Sequence, residues 1–388
     1  MCKLNESDVP HGPYPHATGE RIHNSTPPPR GLGVSLCLSR FGYTGNAVTE
    51  TPCMAVITPL THSEIASFLA HYPLGRLLAV EPSTAGIENT TYFITTELLT
   101  AELTTTELIT TENQAAEAEW VLTLIEHAPV EQVDFTARLL TFLSARGLPV
   151  PAPQCDHEGQ PWRWLHDKPT WLIRKVPGHH PTRPTEIECR AIGDFLGAAH
   201  RAVEQFDADL ARPEHPNSRG LDWLHEVAPS LSLSHDLRAL LDSQLATWEA
   251  LQHQHLPRGA IHADLFHDNA LFEEGRLVAV IDFLFSCTDW LLLDVAIAVN
   301  DWCDDGRGQL DKTRAHALLA AYSRHRPFTV AEHQHWQAML ALAATRFWVS
   351  RLQPSSDQQT KDPDEYLRMV RNRLADDDAE TVPLPLIF

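Results

Sequence analysis

Hydrophobic and polar positions follow two different periods along the chain, and the period changes near residue 177. Between residues 76 and 176, apolar positions come in short runs rich in β-branched and aromatic residues, which is typical of β-strands. The predicted strands are 77–80, 90–95, 120–125 and 171–176. A helix is predicted at 131–146, where apolar residues recur at helical spacing and Gly147 follows.

After residue 177 the pattern is mostly helical. The predicted helices are 185–203, 234–251, 312–322 and 331–352. One hairpin interrupts them, with strands at 270–272 and 277–281 around a turn at 273–276. Pro177-Gly178 separates the two parts, so we expect an α+β, bilobal protein: a small strand-rich lobe, a larger helical lobe and a ligand cleft between them.

Two stretches fall outside this pattern. Residues 1–53 contain seven prolines and balanced charges, and we interpret them as a disordered leader or as an extension upstream of a start at Met54. Residues 97–119 repeat Thr-Thr-Glu and contain little to bury, which indicates an expanded hairpin loop. The predicted division is 54–176 for the first lobe, 177–375 for the second lobe and 376–388 for a tail.

Composition restricts the classes of partner. The 388 residues include 30 basic and 51 acidic side chains, which give a net charge of −21. This charge repels nucleic acid and anionic membrane surfaces, and no apolar run approaches the roughly 18 residues of a membrane span. Seven cysteines are scattered without a CxxC pair. They predict free thiols in a reducing, cytoplasmic compartment. The charge and the lack of a long apolar run predict that the protein has no nucleic-acid or membrane partner.

The hairpin and the loop before it carry the candidate chemistry. The expected turn places Asn269 opposite Val280, so that Asp282 follows close to Asn269 at the open end. Asp264 lies five residues before Asn269, on the loop that leads into the first strand. Two carboxylates and a carboxamide oxygen therefore meet at one mouth. Such oxygen ligands suit Mg²⁺ and, through it, nucleotide phosphates, and one carboxylate is left to take a proton from a hydroxyl.

These spacings resemble the phosphoryl-transfer residues of the kinase superfamily, in which an asparagine follows the catalytic aspartate and a metal-binding aspartate ends a later strand. His262-Ala263-Asp264 and Asp282-Phe283-Leu284 differ from the protein-kinase motifs and resemble those of aminoglycoside phosphotransferase-like small-molecule kinases. Within that group, several segments are similar to the type II homoserine kinase family. They are 85–90, 146–151, 259–272, 281–302 and 346–351.

The resemblance implies a protein-kinase-like fold and an enzyme that transfers the γ-phosphoryl group of ATP to the side-chain hydroxyl of L-homoserine, in threonine biosynthesis. It implies that Asp264 is the catalytic base and that Asn269 and Asp282 hold Mg²⁺. The residues expected to contact the nucleotide are Gly86, Asn89 and Thr90. Thr123 stands on the strand where kinases carry a phosphate-binding lysine, so a cation must carry more of the phosphate charge.

Two residues are candidates for substrate binding. Arg346 lies among apolar residues of a predicted helix, where an arginine is usually paired. It either pairs with an acid such as Asp294 or Asp301, or binds a substrate carboxylate. Asp301 follows an apolar stretch, and either meets a substrate ammonium group or has a structural role.

Two other functions remain open. A related enzyme could phosphorylate an aminoglycoside or an amino alcohol, and the acidic composition would suit a cationic antibiotic. The threonine at position 123 also allows a nucleotide-binding scaffold without catalysis. The presence of Asp264 beside the two expected metal ligands argues against a scaffold, because a scaffold needs no base.

Overall fold

The computed structural model describes six stretches of the chain. They are 57–83, 88–97, 117–206, 219–353, 362–375 and 382–385. The predicted leader 1–53 and most of the predicted insertion 97–119 lie outside the described residues. At the edges of the insertion, Glu97 and residues 117–119 are described, and they belong to strands.

Five strands form one antiparallel sheet. They are β1 (Leu77–Pro82), β2 (Thr90–Glu97), β3 (Glu117–Leu124), β4 (Arg163–Leu165) and β5 (Lys168–Arg174). Their order in the sheet is β1-β2-β3-β5-β4. β4 was not predicted, and it pairs with the beginning of β5, which starts at Lys168 rather than at residue 171.

Two helices accompany this sheet, α1 (His62–Leu69) and α2 (Val130–Ser144). A capping box begins α1: the Thr61 hydroxyl accepts a hydrogen bond from the backbone N–H of Glu64, and the Glu64 carboxylate accepts one from the backbone N–H of Thr61. Burial alternates strictly along β2. One face of β2 therefore packs in the apolar core with α1, and the other face is free to line a cleft.

The second part of the chain contains the remaining helices and strands. The helices are α3 (Glu186–Val203), α4 (Leu221–Val227), α5 (His235–Gln252), α6 (Leu291–Trp302), α7 (Lys312–His325), α8 (Val330–Leu352) and α9 (Pro363–Leu374). The strands are β6 (Arg258–Ile261), β7 (Ala270–Glu273), β8 (Arg276–Val280) and β9 (Cys287–Trp290). β6 pairs with β9, and β7 pairs with β8. The expected combination of a strand-rich part and a helical part is confirmed.

Close packing between α3 and α7 forms part of the helical core. A Cβ atom on Gly197 would lie 2.6 Å from the Tyr322 carbonyl oxygen, and one on Gly193 would overlap the Leu318 carbonyl oxygen. Only glycine allows the two helix backbones to approach this closely. α6 runs through the same core, and nearly all of its residues are buried.

The hairpin register differs from the prediction by one residue. Glu273 pairs with Arg276, which leaves a turn of two residues rather than four. The register then shifts between Leu271 and Phe272, so that Ala270 lies opposite Val280. Because of this irregularity, Ala270 and not Asn269 lies opposite Val280.

The helices and the cysteines can be compared with the predictions about membrane spans and free thiols. Among the described helices, none is long and apolar enough to cross a membrane. Cys189, Cys287 and Cys303 are buried free thiols. Cys155 is disulfide-bonded, so the expectation of a free thiol is wrong at this residue.

Candidate active site

Buried hydrogen bonds fix the backbone of the loop that carries Asp264. Asp294 of α6 accepts hydrogen bonds from the backbone N–H groups of His262 (2.9 Å) and Ala263 (2.8 Å). Ala263 has a φ angle of +66°, a left-handed conformation that is costly for a residue with a Cβ atom. The carboxylate of Asp294 thus holds a strained turn immediately before Asp264.

Asp294 is itself held by the helices around it. His200 of α3 places Nε2 3.1 Å from the carboxylate, and its Nδ1 lies 2.9 Å from the Tyr322 hydroxyl on α7. Burial alone would raise the pKa of Asp294, but the contacts with His200 and His262 hold that pKa below its usual value. The sequence did not predict that Asp294 holds this loop. A single carboxylate within an apolar run does indicate that the carboxylate is buried and has a hydrogen-bond or ionic partner.

Asp264, Asn269 and Asp282 lie together at the open end of the hairpin. The side-chain nitrogen Nδ2 of Asn269 donates hydrogen bonds to the carbonyl oxygen (2.8 Å) and the carboxylate Oδ2 (3.3 Å) of Asp264. Across the hairpin, the N–H of Ile281 donates to the carbonyl oxygen of Asn269 at 3.0 Å. Asp282 follows directly with a left-handed φ of +61°, which turns the chain at the site. His262 contributes orientation, since its Nε2 lies 3.0 Å from the Ile281 carbonyl oxygen.

The two aspartates share an electrostatically unfavourable environment. Burial raises the pKa of Asp264 to about 8, and Asp282 acts in the same direction, whereas Arg346 and Arg219 lower it. Burial also raises the pKa of Asp282 to about 6, with Glu88 and Asp268 acting in the same direction. Carboxylates that are close together in a cleft favour the binding of a cation.

The donor set at the hairpin mouth fits a magnesium ion. Because Nδ2 of Asn269 is directed to Asp264, its carboxamide oxygen remains for another ligand. That oxygen and the Asp282 carboxylate are hard donors, and Mg²⁺ typically takes one or two such protein ligands together with phosphate oxygens and water. Among the described residues there is no cluster of three or more His, Cys, Asp or Glu side chains arranged for a metal ion.

A cavity of about 760 Å³ opens beside these residues. Its walls come from the sheet and from the hairpin region, and include Thr91, Thr123, Asp264, Asn269 and Asp282. The volume is within the range of small-molecule and cofactor sites. Thr123 lies in this wall, as expected for the position that carries a lysine in protein kinases.

The predicted nucleotide contacts fall into three groups. Gly86 lies outside the described residues. Asn89 lines the cavity, and its side-chain oxygen accepts a hydrogen bond from the backbone N–H of Glu126 at 3.1 Å. Thr90 is fully buried on the opposite face of β2, where its hydroxyl donates to the Glu126 carboxylate at 2.6 Å. The side chain that faces the cavity is therefore that of Thr91 and not that of Thr90, because successive side chains of a strand point to opposite faces.

Neither acid proposed as a structural partner of Arg346 is paired with it. Asp294 is engaged by the loop that carries Asp264, and Asp301 accepts hydrogen bonds from the backbone N–H (2.7 Å) and the ring Nδ1 (2.9 Å) of His267. Arg346 is 3% exposed and donates through one guanidinium nitrogen to the carbonyl oxygen of Ala263. Its charge therefore lies against the residue that precedes Asp264.

A second arginine near Asp264 was missed from the sequence. Arg219 donates a hydrogen bond of 2.7 Å to the hydroxyl of Ser350, and its guanidinium carbon lies 4.6 Å from the centre of the Phe285 ring. It precedes α4 in a stretch without strong periodicity. No local pattern marks it, because its neighbours at the site come from distant parts of the chain.

Comparison with known proteins finds relatives over most of the chain. Residues 79–328 match the model of a phosphotransferase enzyme family. A homoserine kinase of Pseudomonas aeruginosa (strain UCBPP-PA14) is 40% identical over 303 residues, which are 77% of this chain and 88% of that protein. A homoserine kinase of Janthinobacterium sp. (strain Marseille) is 37% identical over 334 residues, 83% of this chain and 96% of that protein.

Solved structures share the fold at low sequence identity. An amicoumacin kinase in complex with AMP-PNP, Ca²⁺ and amicoumacin ("Ami") has a TM-score of 0.61 and 16% identity, and the match covers 81% of this chain and 92% of that chain. A spectinomycin phosphotransferase in complex with ADP and spectinomycin has a TM-score of 0.54 and 12% identity, covering 82% of this chain and 99% of that chain. The expected kinase-like fold is thereby confirmed.

Proposed function

Because the chain belongs to this phosphotransferase enzyme family, we propose that it is a homoserine kinase, which transfers the γ-phosphoryl group of ATP to the side-chain hydroxyl of L-homoserine in threonine biosynthesis. The observation that carries the proposal is the meeting of Asp264, Asn269 and Asp282 at one end of a large cavity, in a chain 36–40% identical to homoserine kinases. ATP and L-homoserine are cytoplasmic metabolites, so we place the enzyme in the cytoplasm.

Asp264 is the proposed catalytic base. It accepts the proton of the substrate hydroxyl while the oxygen forms a bond to the γ-phosphorus of ATP. The bond between the γ-phosphorus and the β–γ bridging oxygen breaks, and ADP leaves with that electron pair. Asn269 orients the base through its two hydrogen bonds to Asp264, and Arg346 and Arg219 favour the ionised form that can accept a proton.

The nucleotide binds in the cavity between the sheet and the hairpin. Asn269 and Asp282 would hold Mg²⁺, which supplies charge neutralisation of the phosphates and a fixed position for the γ-phosphoryl group. Thr91 and Asn89 lie on the sheet side of the same cavity. Gly86 is proposed to approach the phosphates with its backbone, as in the turn between the first two strands of kinases.

Two charged residues are proposed to recognise the amino-acid part of the substrate. Arg346 binds the carboxylate, since its guanidinium is buried next to the catalytic loop and has no acidic partner there among the described residues. Asp301 meets the ammonium group. Asp301 and Asp264 both raise the pKa of Tyr366, after the larger effect of burial, so the two carboxylates lie near the same phenol.

The experiment is a comparison of acceptors with the purified full chain, ATP and Mg²⁺. The acceptors are L-homoserine, 3-amino-1-propanol (which lacks the carboxylate), 4-hydroxybutyrate (which lacks the ammonium group) and kanamycin. We expect kcat/KM for L-homoserine to exceed the others by about 10²-fold or more, because buried charged groups are left unpaired by the analogues. Phosphorus NMR identifies O-phosphohomoserine.

Other outcomes assign other functions. Preference for kanamycin or for the amino alcohol would make the protein a related phosphotransferase with a different acceptor. ATP binding without transfer to any acceptor would favour a scaffold. For Asp301, the variant Asp301→Asn should raise KM for L-homoserine and leave the slower reaction of 4-hydroxybutyrate unchanged.

A further inference from the structure

Arg219 is held beside the cavity by three contacts, with the Ser350 hydroxyl, the Phe285 ring and the Trp223 ring. Its guanidinium donates to the Ser350 hydroxyl at 2.7 Å, and it lies over the face of Phe285 at 4.6 Å, within the range of a cation–π interaction. Phe285 lines the cavity that also contains Asp264. The hydrogen bond and the two rings together fix the direction of a long side chain that would otherwise be mobile.

The bond to Ser350 brings Arg219 next to Arg346. Arg346 and Ser350 are four residues apart on α8, so their side chains lie on one face of that helix. Arg346 in turn donates to the carbonyl oxygen of Ala263, immediately before Asp264. Burial lowers the pKa of Arg219, and the positive charge of Arg346 lowers it further. Two guanidinium groups therefore flank the catalytic loop from the same side.

The charge of this pair is not balanced by a salt bridge within the described protein. The chain contains 51 acidic residues, yet neither arginine forms a salt bridge with a carboxylate among the residues that the structure describes. Their hydrogen-bond partners there are a hydroxyl and a carbonyl oxygen. Asp264 and Glu88 partly offset the repulsion at Arg219, but neither touches the two guanidinium groups as a salt-bridge partner, and an anion in direct contact with both would offset it further. A pair of guanidinium groups is also well shaped for binding an oxyanion.

The position of the pair favours a substrate carboxylate over a nucleotide phosphate. The residues that line the nucleotide cavity include Phe285 and Asp264 but neither arginine, so the guanidinium groups lie beside that cavity. In a 4-hydroxy-2-amino acid the carboxylate carbon is four bonds from the hydroxyl oxygen. An acceptor whose hydroxyl lies at Asp264 can therefore place its carboxylate at the neighbouring arginines.

We propose that Arg219 and Arg346 together clamp the substrate carboxylate, and that Arg219 is a specificity-determining residue that separates amino-acid acceptors from alcohols without a carboxylate. The inference rests on the proposed homoserine kinase function and extends it to a residue from a different segment of the chain. Ser350 acts as a positioning residue, because it touches the guanidinium of Arg219 and not the reacting atoms.

The test compares L-homoserine with L-homoserinamide, in which a neutral amide replaces the carboxylate, using the full chain with ATP and Mg²⁺. For Arg219→Ala we expect kcat/KM with L-homoserine to fall about 10- to 100-fold, the usual worth of a hydrogen bond to a charged group. With L-homoserinamide the same variant loses only the positive charge beside Asp264, which serves both acceptors, so its activity should fall by a smaller factor. The preference for L-homoserine over L-homoserinamide should therefore fall about 10-fold or more, and KM for ATP should stay unchanged. Arg324→Ala, which removes an exposed guanidinium paired with Asp194, is the matched control and should affect neither acceptor.

Each alternative outcome has its own meaning. Equal loss of activity on both acceptors together with a raised KM for ATP would overturn the clamp, because Arg219 would then serve the γ-phosphate. Absence of L-homoserine phosphorylation by the unmodified chain would overturn both the proposed function and the clamp. If the unmodified chain is active but Arg219→Ala does not change the preference between the two acceptors, the clamp alone is wrong.

A second variant keeps the test valid if Arg219→Ala folds poorly. Ser350→Ala retains both charges and removes only the hydroxyl that holds Arg219, so it should reduce the preference for L-homoserine in the same direction by a smaller factor. Arg219→Lys retains the charge but cannot form the planar contact, and should lie between the unmodified chain and the alanine variant. Equal preference in the unmodified chain, Ser350→Ala and Arg219→Lys would contradict the clamp.

Discussion

Asp264 and Asp282 show how two residues of one type differ through their surroundings. Asp264 is half-buried and Asp282 is exposed at the edge of the cavity, and desolvation within the site raises both pKa values, to about 8 for Asp264 and to about 6 for Asp282. Asp264 has two arginines nearby and receives hydrogen bonds from Asn269. Asp282 instead lies near Glu88 and Asp268. The first environment suits a base that exchanges a proton, and the second suits a ligand for a cation.

Substitution at these two positions should have different kinetic effects. Asp264→Asn should lower kcat by about 10²-fold or more, the range for a positioned general base, while nucleotide affinity is retained. Asp282→Asn should weaken nucleotide affinity and raise the Mg²⁺ concentration needed for half-maximal activity. Steady-state kinetics and nucleotide titration of both variants separate the two roles. Near-normal turnover of Asp264→Asn would rule out its role as base.

Asp294 provides a prediction about pH and stability. Its pKa is held below the ordinary value in the folded protein, so its contribution to stability is present above the unfolded-state pKa of about 4 and is lost as the pH falls through the folded-state value. Asp294→Asn should destabilise the fold by about 3 kcal/mol at pH 7, because a buried charged partner of the loop is removed.

Urea unfolding measured from pH 7 to pH 3 tests this prediction. The loss of stability below about pH 4 should be smaller in Asp294→Asn than in the unmodified chain. Asp194→Asn, at a more exposed carboxylate that pairs with Arg324, is the control and should be nearly neutral at pH 7. The same acid sensitivity in the Asp294 variant as in the unmodified chain would contradict the assignment.

The helices act on the site mainly by supporting its loops. α6 supplies Asp294 to the catalytic loop, and α8 supplies Arg346 to the same loop. α3 and α7 support α6 through the chain from His200 to Tyr322. The residues that we propose to react therefore lie on loops, but their positions depend on how the helices pack.

The contact between α3 and α7 predicts an effect at Gly193. Alanine is a better helix former than glycine by about 1 kcal/mol, yet a Cβ atom here would overlap the Leu318 carbonyl oxygen. We expect Gly193→Ala to destabilise the protein by about 2 kcal/mol or more, since overpacking forces the backbones apart. Thermal unfolding measures the change. Arg190→Ala, at a half-exposed position of the same helix, should be close to neutral, and a stabilised Gly193→Ala would contradict the close approach.

At the level of the complete chain, the cavity is lined by both the sheet and the helical part. The predicted insertion connects β2 and β3 at the end of these strands that lies away from the cavity. Glu97 of β2 pairs directly with Glu117 of β3. The cavity residues Thr91 and Thr123 pair near the opposite end of the same two strands. The segment between Glu97 and Glu117 is thus attached at the end of the two strands that lies away from the cavity.

We therefore expect the chain to function without residues 98–116. Replacement of this segment by Asn-Gly should allow a tight hairpin turn between Glu97 and Glu117, because these residues are already paired and two-residue turns favour Asn-Gly. The variant should unfold cooperatively and keep kcat/KM for L-homoserine within about threefold, since a change in loop length alone costs little free energy. Loss of cooperative unfolding would show that the segment supports the fold.

The sequence by itself determined those properties that depend on short stretches of chain. The strand and helix periods predicted most described elements, and the five-residue spacing from Asp264 to Asn269 with the hairpin after it predicted their meeting with Asp282. These predictions succeeded because side-chain periodicity, capping and hairpin closure act between near neighbours. The predicted pairing of β7 with β8 was wrong by one residue, because the register shifts between Leu271 and Phe272.

The tertiary structure alone decided which side chains reach the site from a distance. Thr91 rather than Thr90 faces the cavity because the core settles which face of β2 is buried. Asp294 reaches His262 across 32 residues, and Arg219 reaches Ser350 across 131 residues. Such contacts follow from how helices and loops pack, and no local spacing encodes them. A buried charge needs a partner, and the packing of the fold decides which groups are close enough to be one. In this way Asp294 came to support the loop that carries Asp264, and Arg219 came to lie beside the proposed substrate site.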